Sequence, residues 1–130
     1  MDITPSVSSN INVINGYGIS GFKINNCLFT SHIVLSPDMV SNWRITDNAE
    51  QIQSTHSYTQ VVEIIKQKKT SDILLLIGTG RKSILLSPVV INYFASFGIV
   101  PESMSTPAAC RTYNVLTSEG RFVCALLLNL

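Results

Sequence analysis

Charge is what this sequence has least of. Only 13% of its 130 residues are Asp, Glu, Lys or Arg, about half the usual share, while 45% are hydrophobic. Nine basic against eight acidic residues leave a formal net charge of +1. Such a balance supplies no long-range field to gather DNA, RNA or anionic lipid, so nucleic acid is excluded as an expected partner. A surface covered by Asn, Ser and Thr instead of charge suits docking against another protein.

Other scarcities narrow the chemistry. The three cysteines, Cys27, Cys110 and Cys124, form no close-spaced pair and sit in apolar company. They are expected to be reduced core side chains in a reducing compartment, not a disulfide frame. His32 and His56 lie far apart and match no zinc spacing, so no metal and no cofactor is expected. No Gly-x-Ser-x-Gly elbow and no carboxylate pair suited to acid/base work is present. Cys110, near a helix start and beside Arg111, is the one position where a thiol could be activated, and core packing is its plainer role. The single tryptophan, Trp43, reads as a core anchor, since base-stacking platforms use several aromatics. No apolar run approaches the ~18 residues that a membrane-crossing helix needs. The longest, Phe122 to Leu128, reads as a buried strand. Residues 1–10 are polar and expected to be disordered or loosely ordered, with neither a signal-peptide core nor an Arg-rich presequence. A bacterial cytoplasm is therefore expected, and a mitochondrial matrix disfavoured.

What remains is one α/β domain over residues 11–130, long enough to bury roughly two thirds of its unfolded surface. Ile11 and Val13, Phe22 and Ile24, then Phe29, Ile33 and Leu35 alternate at strand spacing. The turn formers Asn15-Gly16, Asn25-Asn26 and Ser36-Pro37-Asp38 separate them, giving an antiparallel meander. Gly16, Gly18 and Gly21 allow a bend or bulge before Phe22. Residues 45–56 look like a connecting loop, with a short strand around Gln51 to Gln53. Ser57 and Gln60 then read as a capping box for a helix burying Tyr58, Val61, Val62 and Ile65. That helix closes near Lys66, Lys68 and Lys69, whose charges offset its dipole.

From Ile73 to Ile77 every position is apolar, as in a strand covered on both faces. Ser87-Pro88 opens a second helix, with Val90, Tyr93, Phe94 and Phe97 on one face and Gly98 at its end. Ile99 to Ser103 is a short strand, placed at an edge because Pro101 cannot donate to a ladder. Thr106-Pro107 opens a third helix that uses Ala109, Thr112, Tyr113 and Leu116 and closes near Gly120. The sum is a three-layer single domain, an N-terminal β-meander followed by β-α-β-α-β units around a central mixed sheet. Strand order does not follow from this pattern.

Two corners carry whatever chemistry there is. Gly78-Thr79-Gly80-Arg81 ends the buried strand, and Ser105-Thr106-Pro107 opens the third helix. Side by side at one rim, they would expose backbone amides, a helix dipole and Arg81 to an anion. The plainer reading is a sharp turn leaving a buried strand, because no Walker lysine follows and a lone Gly-x-Gly is weak. Arg111 and Asn114 share one helix face, either as a structural tie or as part of a recognition surface. The candidate binding residues are thus Gly78, Thr79, Gly80, Arg81, Thr106, Arg111 and Asn114.

Gly16-Tyr17-Gly18 with Phe22, Pro37 to Trp43, Ile77-Gly78-Thr79-Gly80, Thr106-Pro107-Ala108-Ala109 and Tyr113-Asn114-Val115-Leu116 before Gly120-Arg121-Phe122-Val123 occur in order from residue 11 to 128. In these the chain resembles the mitochondrial complex I assembly factor three family, which includes adipogenesis-associated domain proteins and bacterial and archaeal relatives of unknown function. The resemblance implies a three-layer α/β fold and no catalytic residues to transfer. It also implies a non-enzymatic, chaperone-like, protein-binding role beside respiratory complex I subunits or another assembly factor. The alternative, which does not come from the resemblance, is a small anionic-ligand-binding protein or enzyme using the Gly78–Arg81 loop and the Thr106 helix start.

Overall fold

The computed structural model describes residues 11–45, 49–68 and 72–130. The expectations for residues 1–10 and for Lys69 lie outside these. Two sheets form. β1 (Ile14–Gly18), β2 (Gly21–Ile24) and β3 (Cys27–Phe29) pair in that order as a small antiparallel sheet. Asn25 and Asn26 make the β2–β3 turn with φ of 50° and 69°, the left-handed pair that a two-residue hairpin requires. Asn15-Gly16 is not the expected turn. The β1–β2 register skips a residue between Ile14 and Gly16, so the dipeptide forms a bulge inside β1, and the chain reverses at Ile19-Ser20. Gly21 is obligatory for space: a Cβ there would lie 2.2 Å from the carbonyl oxygen of Phe29.

The larger sheet contains β4 (Ile33–Ser36), β5 (Met39–Asn42), β6 (Ile73–Gly78), β7 (Pro101–Met104) and β8 (Phe122–Leu127) in the order β5-β4-β8-β6-β7. β4 pairs antiparallel with β5 and β8, whereas β6 pairs parallel with β7 and β8, so the sheet is mixed as expected. Pro101 opens β7, which is an edge strand, where a missing N–H costs no ladder bond.

Three helices cover this sheet: α1 (Thr59–Gln67), α2 (Pro88–Ala95) and α3 (Thr106–Ser118). Side chains alternate along β6 and β8, which explains their uninterrupted apolar sequences. Leu75, Ile77, Cys124 and Leu126 face one core with Val61 and Val62 of α1, Val90 and Phe94 of α2, and Trp43. Leu76, Val123, Ala125 and Leu127 face a second core with Ala109 and Tyr113 of α3 and Phe22 and Ile24 of the small sheet. The result is the expected three-layer arrangement. Trp43 is an anchor: its indole N–H donates to the Ser57 carbonyl at 2.7 Å, and its ring lies 6.1 Å from that of Tyr58.

Four local expectations are revised by the structure. Gln51–Gln53 is not strand but part of a 3-10 turn, Ala49–Gln53, followed by another, Thr55–Tyr58. Ser57 and Gln60 form no capping box. The Ser57 hydroxyl donates to the Gln51 carbonyl at 2.6 Å, while Gln60 accepts from the Arg44 amide and donates to the Asn42 carbonyl, each at 2.8 Å. Cys27 is exposed and not a core residue, because it lies in the outer strand of the small sheet; Cys110 and Cys124 are buried. Lys68, expected only to balance a helix dipole, bridges to Asp38 at 2.7 Å and lies 4.5 Å over the Phe122 ring.

Candidate functional site

Parallel pairing places the C-terminal ends of β6, β7 and β8 at one rim, since Gly78 is in register with both Met104 and Leu127. The two corners singled out by sequence therefore meet. The Leu128 amide donates to the Gly78 carbonyl at 3.0 Å, and Thr79 donates from its amide to the Met104 carbonyl at 2.8 Å. Gly78 is glycine for want of room. A Cβ there would sit 3.0 Å from the Leu127 side chain and from both Cα and Oγ1 of Thr106.

Thr106 ties the rim together. Its hydroxyl accepts from the Gly80 amide at 2.9 Å and donates to the Leu128 carbonyl at 2.8 Å, while its own amide donates to the Gly80 carbonyl at 2.8 Å. It is completely buried. The helix cap is Ser105, one residue earlier than expected: its hydroxyl oxygen accepts from the Ala108 amide at 3.4 Å, and its carbonyl from Ala109 at 2.9 Å. Pro107 has no N–H. The Thr79 hydroxyl donates toward the Lys82 carbonyl and accepts from the Ile84 amide at 3.1 Å, folding the loop back on itself. Protein groups thus already occupy the Thr79 and Gly80 amides and the first amides of α3 that an anion would need.

The arginines diverge from this rim. After Gly80 the chain runs toward the first core, where Ile84 and Leu86 pack, and Arg81 is exposed. Arg111 is also exposed, on α3, which covers the opposite face, and it donates to the Tyr17 hydroxyl at 3.1 Å. Asn114 holds both backbone groups of Ile14, accepting from its amide at 3.0 Å and donating to its carbonyl at 2.8 Å. The Tyr113 hydroxyl adds a bond to the Asn12 carbonyl at 2.9 Å. Burial pushes the Cys110 thiol up to about 12, against a smaller opposing effect of Arg111, so it stays protonated as a packing group. Among the described residues, no three His, Cys, Asp or Glu side chains cluster to hold a metal ion. Among the same residues no helix is long and apolar enough to cross a membrane.

Two features at and next to this rim are not signalled by its glycine and proline pattern. Pro107 does not fix its immediate predecessor as the cap, because proline is tolerated within a helix's first turn and not only at its first position, so Ser105 takes the role. Leu85 and Val89 are 86% and 64% exposed. The signal is available for Val89, which falls off the Val90, Phe94 and Phe97 face, whereas Leu85 precedes the helix and no period applies to it.

The stretch that matches a known family contains the whole rim. Residues 14–128 match the protein family described as "Protein of unknown function (DUF498/DUF598)". The chain belongs to this family. Among its relatives is mouse (Mus musculus) NADH dehydrogenase (ubiquinone) 1 alpha subcomplex assembly factor 3, 30% identical over 115 residues. That alignment covers 88% of this chain and 59% of the relative, so the chain spans well under two thirds of the relative's length. The "13 kDa major membrane protein" of Francisella tularensis is 29% identical over 108 residues, 82% of each chain. Similar solved structures include a Bordetella parapertussis protein with TM-score 0.78 at 30% identity, covering 92% of this chain and 97% of that one. Another is the Mth938-like domain of Bordetella pertussis, with TM-score 0.75 at 26% identity, covering 98% of this chain and 90% of that one.

Proposed function

We propose that this domain is a non-enzymatic, chaperone-like protein that binds partner proteins in a bacterial cytoplasm and assists assembly of respiratory complex I. The single observation carrying the assembly role is the similarity to assembly factor 3 over nearly all of this chain. The partners are then complex I subunits or a second assembly factor. The contact surface is the rim made by Gly78, Thr79, Gly80 and Arg81 with Thr106, continuing along α3 to Arg111 and Asn114. The state of the rim favours docking over an anion pocket or a reaction centre, because its inner amides are committed to Thr106, Met104 and Ser105. Within this surface Thr106 and Asn114 hold the scaffold, and the exposed Arg81 and Arg111 are left for contact.

Affinity capture of the tagged chain from its native cells tests this. Complex I subunits or another assembly factor should be recovered with wild type and be depleted in Arg81→Ala and Arg111→Ala variants that keep the wild-type fold. Consistent recovery of neither class removes the assembly role.

A further inference from the structure

The loop leaving the rim extends the contact surface beyond Arg81. Arg81 and Lys82 are exposed, and neither is in an ion pair among the described residues. Four residues after Arg81, Leu85 stands 86% exposed, and Val89 on the first turn of α2 is 64% exposed beside exposed Pro88. This apolar tip is held in place. The Gln53 side chain donates to the Leu85 carbonyl at 2.9 Å and accepts from the Ser87 amide at 2.6 Å, clamping the backbone on both sides of buried Leu86. The Thr79 hydroxyl fixes the other end through Lys82 and Ile84. A preorganised loop loses little freedom when a partner covers it. Moreover, the chain has no acidic residue between Asp72 and Glu102, so nothing within the loop or α2 neutralises the two cations.

We infer that Arg81, Lys82, Leu85 and Val89 form a docking patch for an acidic segment of a partner protein that also presents apolar side chains. The inference rests on the protein-binding reading above and specifies the chemistry of what is bound. Two exposed cations with no ion pair among the described residues, followed along the same loop and first helical turn by two exposed apolar side chains, complement carboxylates alternating with Leu- or Phe-like groups. An anionic lipid surface is the poorer match. Electrostatic membrane recognition uses clusters of about four to eight cations, whereas this patch has two and the whole chain has a net charge of +1.

The test is selection of a random peptide library on the immobilised chain, with counter-selection on a Leu85→Ser/Val89→Ser variant. Peptides enriched in Asp or Glu together with Leu or Phe are expected. Their affinity should fall about tenfold in that variant, as for loss of an apolar anchor. It should fall similarly in Arg81→Glu/Lys82→Glu, which should accept lysine-substituted versions of the same peptides instead. All four positions are exposed, and unchanged thermal unfolding of both variants establishes that they fold. Selection of basic or uncharged peptides, no enrichment over the counter-selection, or binding only to vesicles of phosphatidylserine and phosphatidylcholine would overturn the inference. Failure of complex I subunits to co-purify sinks the assembly role but leaves this selection to succeed or fail independently.

Discussion

Changing Thr106 to Val isolates the tie that holds the rim. Valine keeps the branched shape and removes only the hydroxyl. At the wild-type site that oxygen accepts from the Gly80 amide at 2.9 Å and donates to the Leu128 carbonyl at 2.8 Å, with Thr106 0% and Leu128 7% exposed. Leaving a buried polar group unmet costs about 1–3 kcal/mol, whereas the net value of a satisfied hydrogen bond is only about 1. The Leu128 carbonyl is shielded and should incur most of that penalty. The Gly80 amide is half-buried and can recover part of its loss from water, so Thr106→Val should destabilise the domain by about 2–3 kcal/mol. Thr106→Ser keeps both bonds and removes one buried methyl, at about 1 kcal/mol. Urea unfolding reads both variants as shifts in midpoint at constant slope. Amide exchange at Gly80 should accelerate in the valine variant and not in the serine one. If Thr106→Val unfolds within about 0.5 kcal/mol of wild type, the hydroxyl network is not what joins these corners.

Four further outcomes follow from side chains away from the rim's centre. Asn114→Ala should cost about 1–2 kcal/mol and speed exchange of the Ile14 amide, because it removes both bonds to that residue; Arg111→Ala should change stability by less than about 0.5 kcal/mol, its one hydrogen-bond partner among the described residues being the exposed Tyr17 hydroxyl. Asp38 is held below the usual carboxylate range, first by its hydrogen bond to Lys68 and then by Ser36 and the Lys68 charge, with partial burial opposing. Its depressed folded pKa gives a contribution present above about 3.8 and lost as pH falls through the folded value, so Asp38→Asn should flatten the acid limb of an unfolding-versus-pH curve. The exposed pair limits that contribution to under about 1 kcal/mol, and an unchanged acid limb would show that the bridge does not contribute. Finally, mass spectrometry after brief alkylation of the native chain should find Cys27 modified and Cys110 and Cys124 spared, since burial pushes both of the latter thiols up to about 12. Early modification of Cys110 would contradict its packing role.

The parts of the fold legible in sequence are those whose causes are local. An apolar residue at every position of β6 requires cover on both faces, and cover is there. Ser87-Pro88 caps and starts α2 through the Val90 amide, a bond between residues three apart. Pro101 predicts an edge because a missing donor is tolerated only where no ladder bond is lost. By contrast, Ser57 and Gln60 have the spacing of a capping box yet bond to Gln51, Asn42 and Arg44. Local capping is worth about 1 kcal/mol, which a tertiary partner satisfying the same atoms readily matches. The Asn15-Gly16 dipeptide yields in the same way. The Asn15 side-chain oxygen accepts from the Asn26 amide at 2.6 Å across the hairpin, so a turn signal becomes a bulge.

The same distinction governs the candidate site. That the two corners meet follows from parallel strands ending at one rim, which the β-α-β order already implied. What the corners do once they meet depends on who bonds whom, and those partners lie 22 to 26 positions apart for Thr106 and 100 apart for Asn114. In sequence, glycines, a threonine and a helix start look like donors awaiting an anion. In the folded domain the donors are consumed in joining β6, α3 and the C-terminal strand, and Gly78 serves closeness, not access. A rim closed in this way is tied together by its own hydrogen bonds and, on the docking reading proposed above, gains rigidity from them. Rigidity is what a docking surface needs from its foundation, because contact residues held in place lose less entropy on binding. Exposure at Arg81, Leu85 and Val89 therefore matters more than the glycine signature that first drew notice.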